Sequence, residues 1–326
     1  MPTAPKNKSR IEAIDLMRGA ALVAMIVYHF AWDLEFFGYA TEGMTRETGW
    51  VLFARGIASS FLFLVGVSLY LAHAQGVRKR SFVKRMAMVA GAALVITVAT
   101  WFATPQGFIF FGILHHIALA SILGLAFLRV PTFVTIAVAI AVIAVPSYLR
   151  HAFFDHPAWW WTGLSTANPR SNDYVPLFPW FGAVLLGIAA ARLGVATGFF
   201  ERLAAWQPGS WSRPARFAGR HSLAVYLIHQ PVLIGALWLF AFVVPPQARI
   251  MPGDFTRACQ AECLTVRDEA FCQAYCGCML VAVEREGLSE VMWQGDRDSA
   301  VTTTLEQLAF ECSIESDAPA EMENEP

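Results

Sequence analysis

Residues 10–37 read RIEAIDLMRGAALVAMIVYHFAWDLEFF, and the reading of this stretch decides the fold. It is long and apolar enough for a membrane-spanning helix, which needs about 20 residues. It nevertheless carries Asp15, Arg18, His29 and Asp33. At about 100° per residue these four side chains fall in a wedge of roughly 60°, with Leu22 inside it and Met25 and Ile26 at its edges. Ionisable groups inside a bilayer cost about 2.5 kcal/mol each or more, so they face protein or a water-filled cavity. The stripe therefore predicts two facing polar sites, one near each end of the helix, with Arg18 and His29 about 16 Å apart along the axis. Asp15 and Arg18 are also spaced as a plain interfacial ion pair at i,i+3. His29 and Asp33 lie one turn apart, where a carboxylate can fix an imidazole tautomer and raise its basicity, as a general base requires. A structural histidine would show the same spacing.

The composition extends this reading to the whole chain. Of 326 residues, 56% are hydrophobic and 15% charged, against about 25% charged in soluble domains. The expected fold is an all-α integral membrane protein of about seven transmembrane helices, plus a small disulfide-rich α-helical C-terminal domain. The spans are predicted at about 13–33, 49–73, 86–104, 107–128, 131–148, 175–194 and 222–244. The first span follows a basic start with no convincing cleavage site and is expected to serve as its own insertion signal. The net charge of −1 hides a split: residues 1–248 hold 19 Lys+Arg against 9 Asp+Glu, and residues 249–326 hold 5 against 16. All 6 cysteines fall in the acidic part. The predicted domains are a membrane domain over 1–248, a cysteine-rich helical domain over 249–312 and an unfolded acidic tail over 313–326.

Orientation is read from basic residues in short loops. One side has Lys6, Lys8, Arg10, Arg78, Lys79, Arg80, Lys84, Arg85, Arg129, Arg202, Arg213, Arg216 and Arg220; the other has Arg46, Arg150 and Arg170. The amino terminus is therefore expected in the cytoplasm. Seven spans then place the carboxyl terminus in the periplasm, a compartment that permits disulfides, which makes this a multi-pass protein of a bacterial inner membrane. With that orientation His29, Asp33, Arg55, His115 or His116 and Asp173 reach comparable depths and form one outward-leaning cavity. His229 lies near mid-membrane, just before Pro231. Asp15, Arg18, Arg220 and His221 form a polar inner mouth. The outer loop 150–175 is rich in aromatics; Trp159, Trp160 and Trp161 read as an interfacial belt, or, since aromatic faces stack on sugar rings, as a lid over a glycan acceptor. His151 and His156 in that loop are expected to be solvated.

In the tail, Cys259 and Cys263 share one helical face, as do Cys272 and Cys276. An antiparallel helical hairpin pairs Cys259 with Cys276 and Cys263 with Cys272, leaving Cys278 for Cys312, one of 15 possible connectivities. The plain role is a structural staple for a small core; a partner protein docked on this domain is a further expectation, as is a homo-oligomer. No HExxH, CxxC…CxxC or Gly-rich phosphate loop is present, and no metal is expected.

Five stretches resemble the bacterial relatives of heparan-alpha-glucosaminide N-acetyltransferase, within the wider transmembrane acyltransferase superfamily. They are RIEAIDLMRGAALVAMIVYHFAWDL, FLFLVGVSLYL, GILHHIAL, DYVPLFPWFGAVLLGI and GRHSLAVYLIHQPVL, in that order over about residues 10–240. Arg18-Gly19 matches the family's first-span pattern, and His29 matches best the wider superfamily, in which a histidine ends the first span. The loop 34–49 has no histidine, where the lysosomal enzymes carry their catalytic one, and His116 stands in place of a family arginine. The resemblance implies transfer of an acyl group, acetyl in the family, from cytosolic acyl-CoA (acetyl-CoA) to a periplasmic or envelope acceptor, a glycan amine or hydroxyl. His29 would act as base or acyl carrier, oriented by Asp33, with Arg55 or His116 on the thioester oxygen. Arg18, Arg220 and the basic loop, beside Asp15 and His221, would hold the phosphates, and Trp160, Asp173 and His229 the acceptor. A small-molecule transporter and a non-catalytic assembly subunit are the competing readings, because polar intramembrane residues also line permeation paths.

Overall fold

Every regular element among the described residues is helical. The computed structural model describes residues 11–41, 43–246, 252–288 and 299–317. The helices in chain order are α1 Glu12–Phe36, α2 Thr48–His73, α3 Lys79–Ala103, α4 Ile113–Phe127, α5 Thr132–Tyr148, α6 Leu177–Ala196, α7 Phe199–Ala205, α8 Arg213–Arg220, α9 Ser222–Val243, α10 Pro252–Cys263, α11 Glu269–Arg285 and α12 Ser299–Asp317. Of these, α1, α2, α3, α6 and α9 are long and apolar enough to cross a bilayer. The helices α4 and α5, of 15 and 17 residues, are shorter apolar helices. The chain divides into two units, Met1–Asp33 with Gly43–Trp238, and Leu34–Glu42 with Leu239–Pro326.

Two helix starts differ from the sequence expectation, each for a local reason. The helix α3 begins at Lys79 rather than near 86, so much of the second basic loop lies in its first turns. The helix α4 begins at Ile113 rather than near 107. Residues on either side of Asp173 hold the preceding segment by backbone bonds: Asn172 N–H donates to Gly107 O at 2.8 Å and Val175 N–H to Phe111 O at 3.1 Å. The Asp173 carboxylate then accepts from the Ile113 N–H at 2.9 Å, satisfying one of the free donors at the α4 start.

The core of the first unit lies among α2, α4, α5 and α6, around Leu62, Leu69, Ala120, Val184, Leu185 and Ile188. Glycine allows the closest approach. A Cβ on Gly66 would overlap the Val184 carbonyl oxygen, and one on Gly187 would overlap that of Phe63. The same device joins α1 to α8: a Cβ on Gly19 would overlap the Ala215 carbonyl, and one on Gly219 that of Asp15. This contact fixes the short α8, and with it Arg220, against the end of α1 that carries Arg18.

In the second unit α10 and α11 form a hairpin closed by Cys259–Cys276 and Cys263–Cys272, and Cys278–Cys312 ties α12 to α11. This is the pairing that the hairpin geometry selects. Asp268 caps α11 through the Phe271 N–H at 3.0 Å. The small core is built on Met279, Ala282, Val283 and Leu308. The last helix runs to Asp317, four residues past the expected start of the unfolded tail at Ser313, because Cys312 anchors it and Ser316 bonds back to the Cys312 carbonyl at 2.7 Å. Lys6, Lys8, Arg10 and residues 318–326 lie outside the described residues.

Candidate functional site

Two polar sites sit in the first unit. The first is a cavity of about 240 Å³ with Arg18 of α1, Arg85 of α3 and Arg220 of α8 in its lining. Its remaining wall is largely apolar, including Phe61, Leu64, Ile113, Leu114 and Ile117, and Tyr226 also contributes. Among its partners, Arg18 bonds Asp15 at 3.4 Å and donates to the Ser68 hydroxyl. Asp15, itself buried, thus positions Arg18 and does not line the cavity. Arg85 and Arg220 have no carboxylate partner among the described residues. A mouth with cationic donors and an apolar wall suits an anionic headgroup carrying an apolar arm.

The second site lies one turn along α9 from Tyr226. The His229 Nδ1 lies 2.6 Å from the Tyr226 carbonyl, which can only accept, so Nδ1 carries the proton. The His29 and His229 rings meet edge-on with centroids 5.0 Å apart. Asp33 is fully buried and accepts from Gln230 Nε2 at 2.6 Å. The two sites are linked by Tyr226, whose hydroxyl donates to Asp173 at 3.4 Å. Burial pushes the Asp173 carboxyl up from its ordinary value, partly offset by the Ile113 and Tyr226 donors.

A family model for the heparan-alpha-glucosaminide N-acetyltransferase catalytic domain matches residues 10–231. The chain belongs to this family. No curated protein and no solved structure gives a significant match. Membership makes the chain a membrane protein with a transmembrane acetyltransferase-like function, of a type that uses an acyl-CoA donor. Both polar sites lie inside the matched segment, and the cysteine-rich unit from Cys259 onward lies beyond it.

Within this acetyltransferase-family segment the expected single outer cavity is instead several separate clusters. Asp33 does not orient His29: its short side chain turns to Gln230 on α9, and no hydrogen bond joins it to His29 among the described residues. Arg55 is exposed on α2, with no hydrogen bond or ion pair among the described residues. His116 is fully buried with its Nδ1 3.2 Å from the Val175 carbonyl. Ile113, Leu114 and Ile117 face the arginine cavity, and His116 is not in its lining. Neither group is therefore placed on a thioester oxygen. His115 is occupied as well, between the Gly112 N–H at 3.2 Å and the Thr97 hydroxyl at 3.1 Å. His221 is exposed, bonds the Phe217 carbonyl and does not line the cavity. Trp160 is half-buried, donates to the Asp155 carbonyl at 2.8 Å and receives the Tyr174 hydroxyl on its own carbonyl, so it braces the outer loop.

Sequence reasoning gave the phosphates to the basic loop that ends at Arg85 without singling Arg85 out, and passed over Ser68, Tyr226 and Gln230. The signal for the last two was present: Tyr226, His229 and Gln230 repeat at helical spacing inside an otherwise apolar span, and such polar residues face protein.

Proposed function

We propose that this chain is a multi-pass membrane acyltransferase of a bacterial inner membrane. It takes an acyl group, acetyl as the simplest case, from acyl-CoA at the arginine-lined cavity and passes it to an amine or hydroxyl at the His29–His229 site. The observation that carries this reading is the cavity. Its three arginines come from α1, α3 and α8, and its apolar wall leads to Tyr226, one turn from His229. Arg18, Arg85 and Arg220 would hold the donor's phosphates, and the apolar wall its pantetheine arm. Ser222 lines the cavity and lies about 10 Å of helical rise from His229 on α9, so the arm must extend to bring its thioester to the histidines. The cytoplasmic placement of the arginine mouth rests on the positive-inside bias of the loops, which puts Arg78, Lys79, Arg80, Lys84 and Arg85 on the same side.

The test is direct binding of acetyl-CoA to the purified protein in detergent. Each charge-assisted contact to phosphate contributes about 1.5–3 kcal/mol, so Arg85→Ala and Arg220→Ala should each raise the Kd about 10- to 100-fold. Unchanged binding in both variants would show that the donor sits elsewhere.

A further inference from the structure

The histidine cluster holds three buried polar atoms without a hydrogen-bond partner among the described residues: Asp33 Oδ2, His229 Nε2 and Gln230 Oε1. All three are acceptors. The Tyr226 carbonyl holds the proton on His229 Nδ1, which leaves a lone pair on Nε2. Gln230 gives its amide N–H to Asp33 Oδ1, which leaves its carbonyl oxygen free. A buried acceptor left unsatisfied costs about 1–3 kcal/mol. Three such acceptor atoms on α1 and α9, joined through the Gln230–Asp33 bond and without a donor partner among the described residues, describe a site that a donor-bearing group completes. His29, by contrast, has a ring contact but no hydrogen bond that fixes its tautomer among the described residues.

From this geometry we infer that His229, not His29, is the general base of the transfer, with Asp33 and Gln230 as the positioning pair. The inference rests on the acyltransferase reading above. His229 Nε2 takes the proton from the acceptor N–H or O–H as the acceptor lone pair attacks the thioester carbonyl carbon. The new bond joins the acceptor nitrogen or oxygen to the acyl carbon. The carbon–sulfur bond breaks with its electrons on sulfur, and His229 returns the proton to that sulfur to give the free thiol. Asp33 Oδ2 and Gln230 Oε1 accept the acceptor's remaining donors, and the Asp33 carboxylate stabilises the imidazolium while it exists.

The experiment measures thiol release from acetyl-CoA by the full chain in detergent, with glucosamine as acceptor, alongside donor binding. His229→Gln keeps a side-chain amide in place of the imidazole but cannot act as a base. It should lose about 10²–10⁴ in kcat, bind acetyl-CoA as wild type does, and lose the acidic limb of the pH–rate profile. Imidazole added to His229→Ala should restore part of the rate, which a folding defect would not allow. His29→Gln should lose far less and keep the pH profile. A wild-type rate and pH profile in His229→Gln, or loss of the acidic limb only in His29→Gln, would overturn the assignment while leaving the acyltransferase reading intact. Absence of thiol release in wild-type protein that binds donor would overturn both.

Discussion

The arginine cavity and the histidine cluster sit in one helical unit and are opposite in what they offer. The cavity presents donors and positive charge from Arg18, Arg85 and Arg220. The cluster presents acceptors, with Asp33, His229 and Gln230 each leaving one oxygen or nitrogen without a partner among the described residues. Tyr226 belongs to both, as part of the cavity wall and through its carbonyl on His229. The difference teaches how two substrates of opposite character could be kept apart and still meet: on the proposed reading an anion is held at one end and a hydrogen-bond donor is received at the other. A permeation path for one solute has no need of such opposed ends.

After His229→Gln, the largest expected effect on this contrast comes from removing an acceptor without changing shape. Asp33→Asn replaces the free oxygen with either an N–H donor or a reorganised pair with Gln230. By the worth of one hydrogen bond to a charged group, about 1.5–3 kcal/mol, transfer should fall about 10- to 100-fold. Acetyl-CoA binding, measured in parallel, should stay at the wild-type level, so a matching loss of donor binding would merge the two sites into one. Next is the joint that sets the cavity mouth. Gly219→Leu puts a side chain where α8 meets the Asp15 carbonyl. Overpacking of this kind costs about 1–3 kcal/mol, and the displaced Arg220 should weaken donor binding with little change in kcat at saturating donor. Smaller still are Arg55→Gln and His116→Gln. Neither residue touches the cavity or the cluster, so kcat in a thiol-release assay should remain within about threefold, the scatter expected of substitutions away from such features.

A pH prediction separates the outer loop from both sites. Asp155 accepts from the Thr166 and Ser165 hydroxyls and the Thr166 N–H, which hold its carboxyl below the usual value. A depressed folded pKa adds stability above the unfolded value, and that stability is lost as pH falls through the folded value. The protection factor of the Thr166 amide, its exchange rate divided into the intrinsic rate at the same pH, should therefore fall on acidification below the ordinary Asp value of about 4, and Asp155→Asn should remove that step.

Much of the fold was legible in the sequence because its signals are one-dimensional. Apolar length placed the helices, and helical spacing with an antiparallel hairpin chose among the cysteine pairings. The starts of α3 and α4 were missed because they depend on distant partners, as with Asp173 on Ile113. The site was legible only in part for the same reason. A helical wheel puts Asp33 beside His29, but the wheel holds no information on α9, and Gln230 is what Asp33 meets. Arg18 and Arg220 were found by charge and depth. The Gly19 and Gly219 contacts that bring their helices together are visible only in three dimensions.

The most direct test of the two-site account is acetyl transfer from radiolabelled acetyl-CoA by the purified full chain, with glucosamine present. Wild type and the Arg85→Ala, Arg220→Ala double variant would be compared across donor concentration. The account predicts saturable thiol release with labelled product in wild type, and a double variant whose donor KM rises steeply while its limiting rate is largely kept. Folded wild-type protein that neither binds acetyl-CoA nor releases thiol would contradict it.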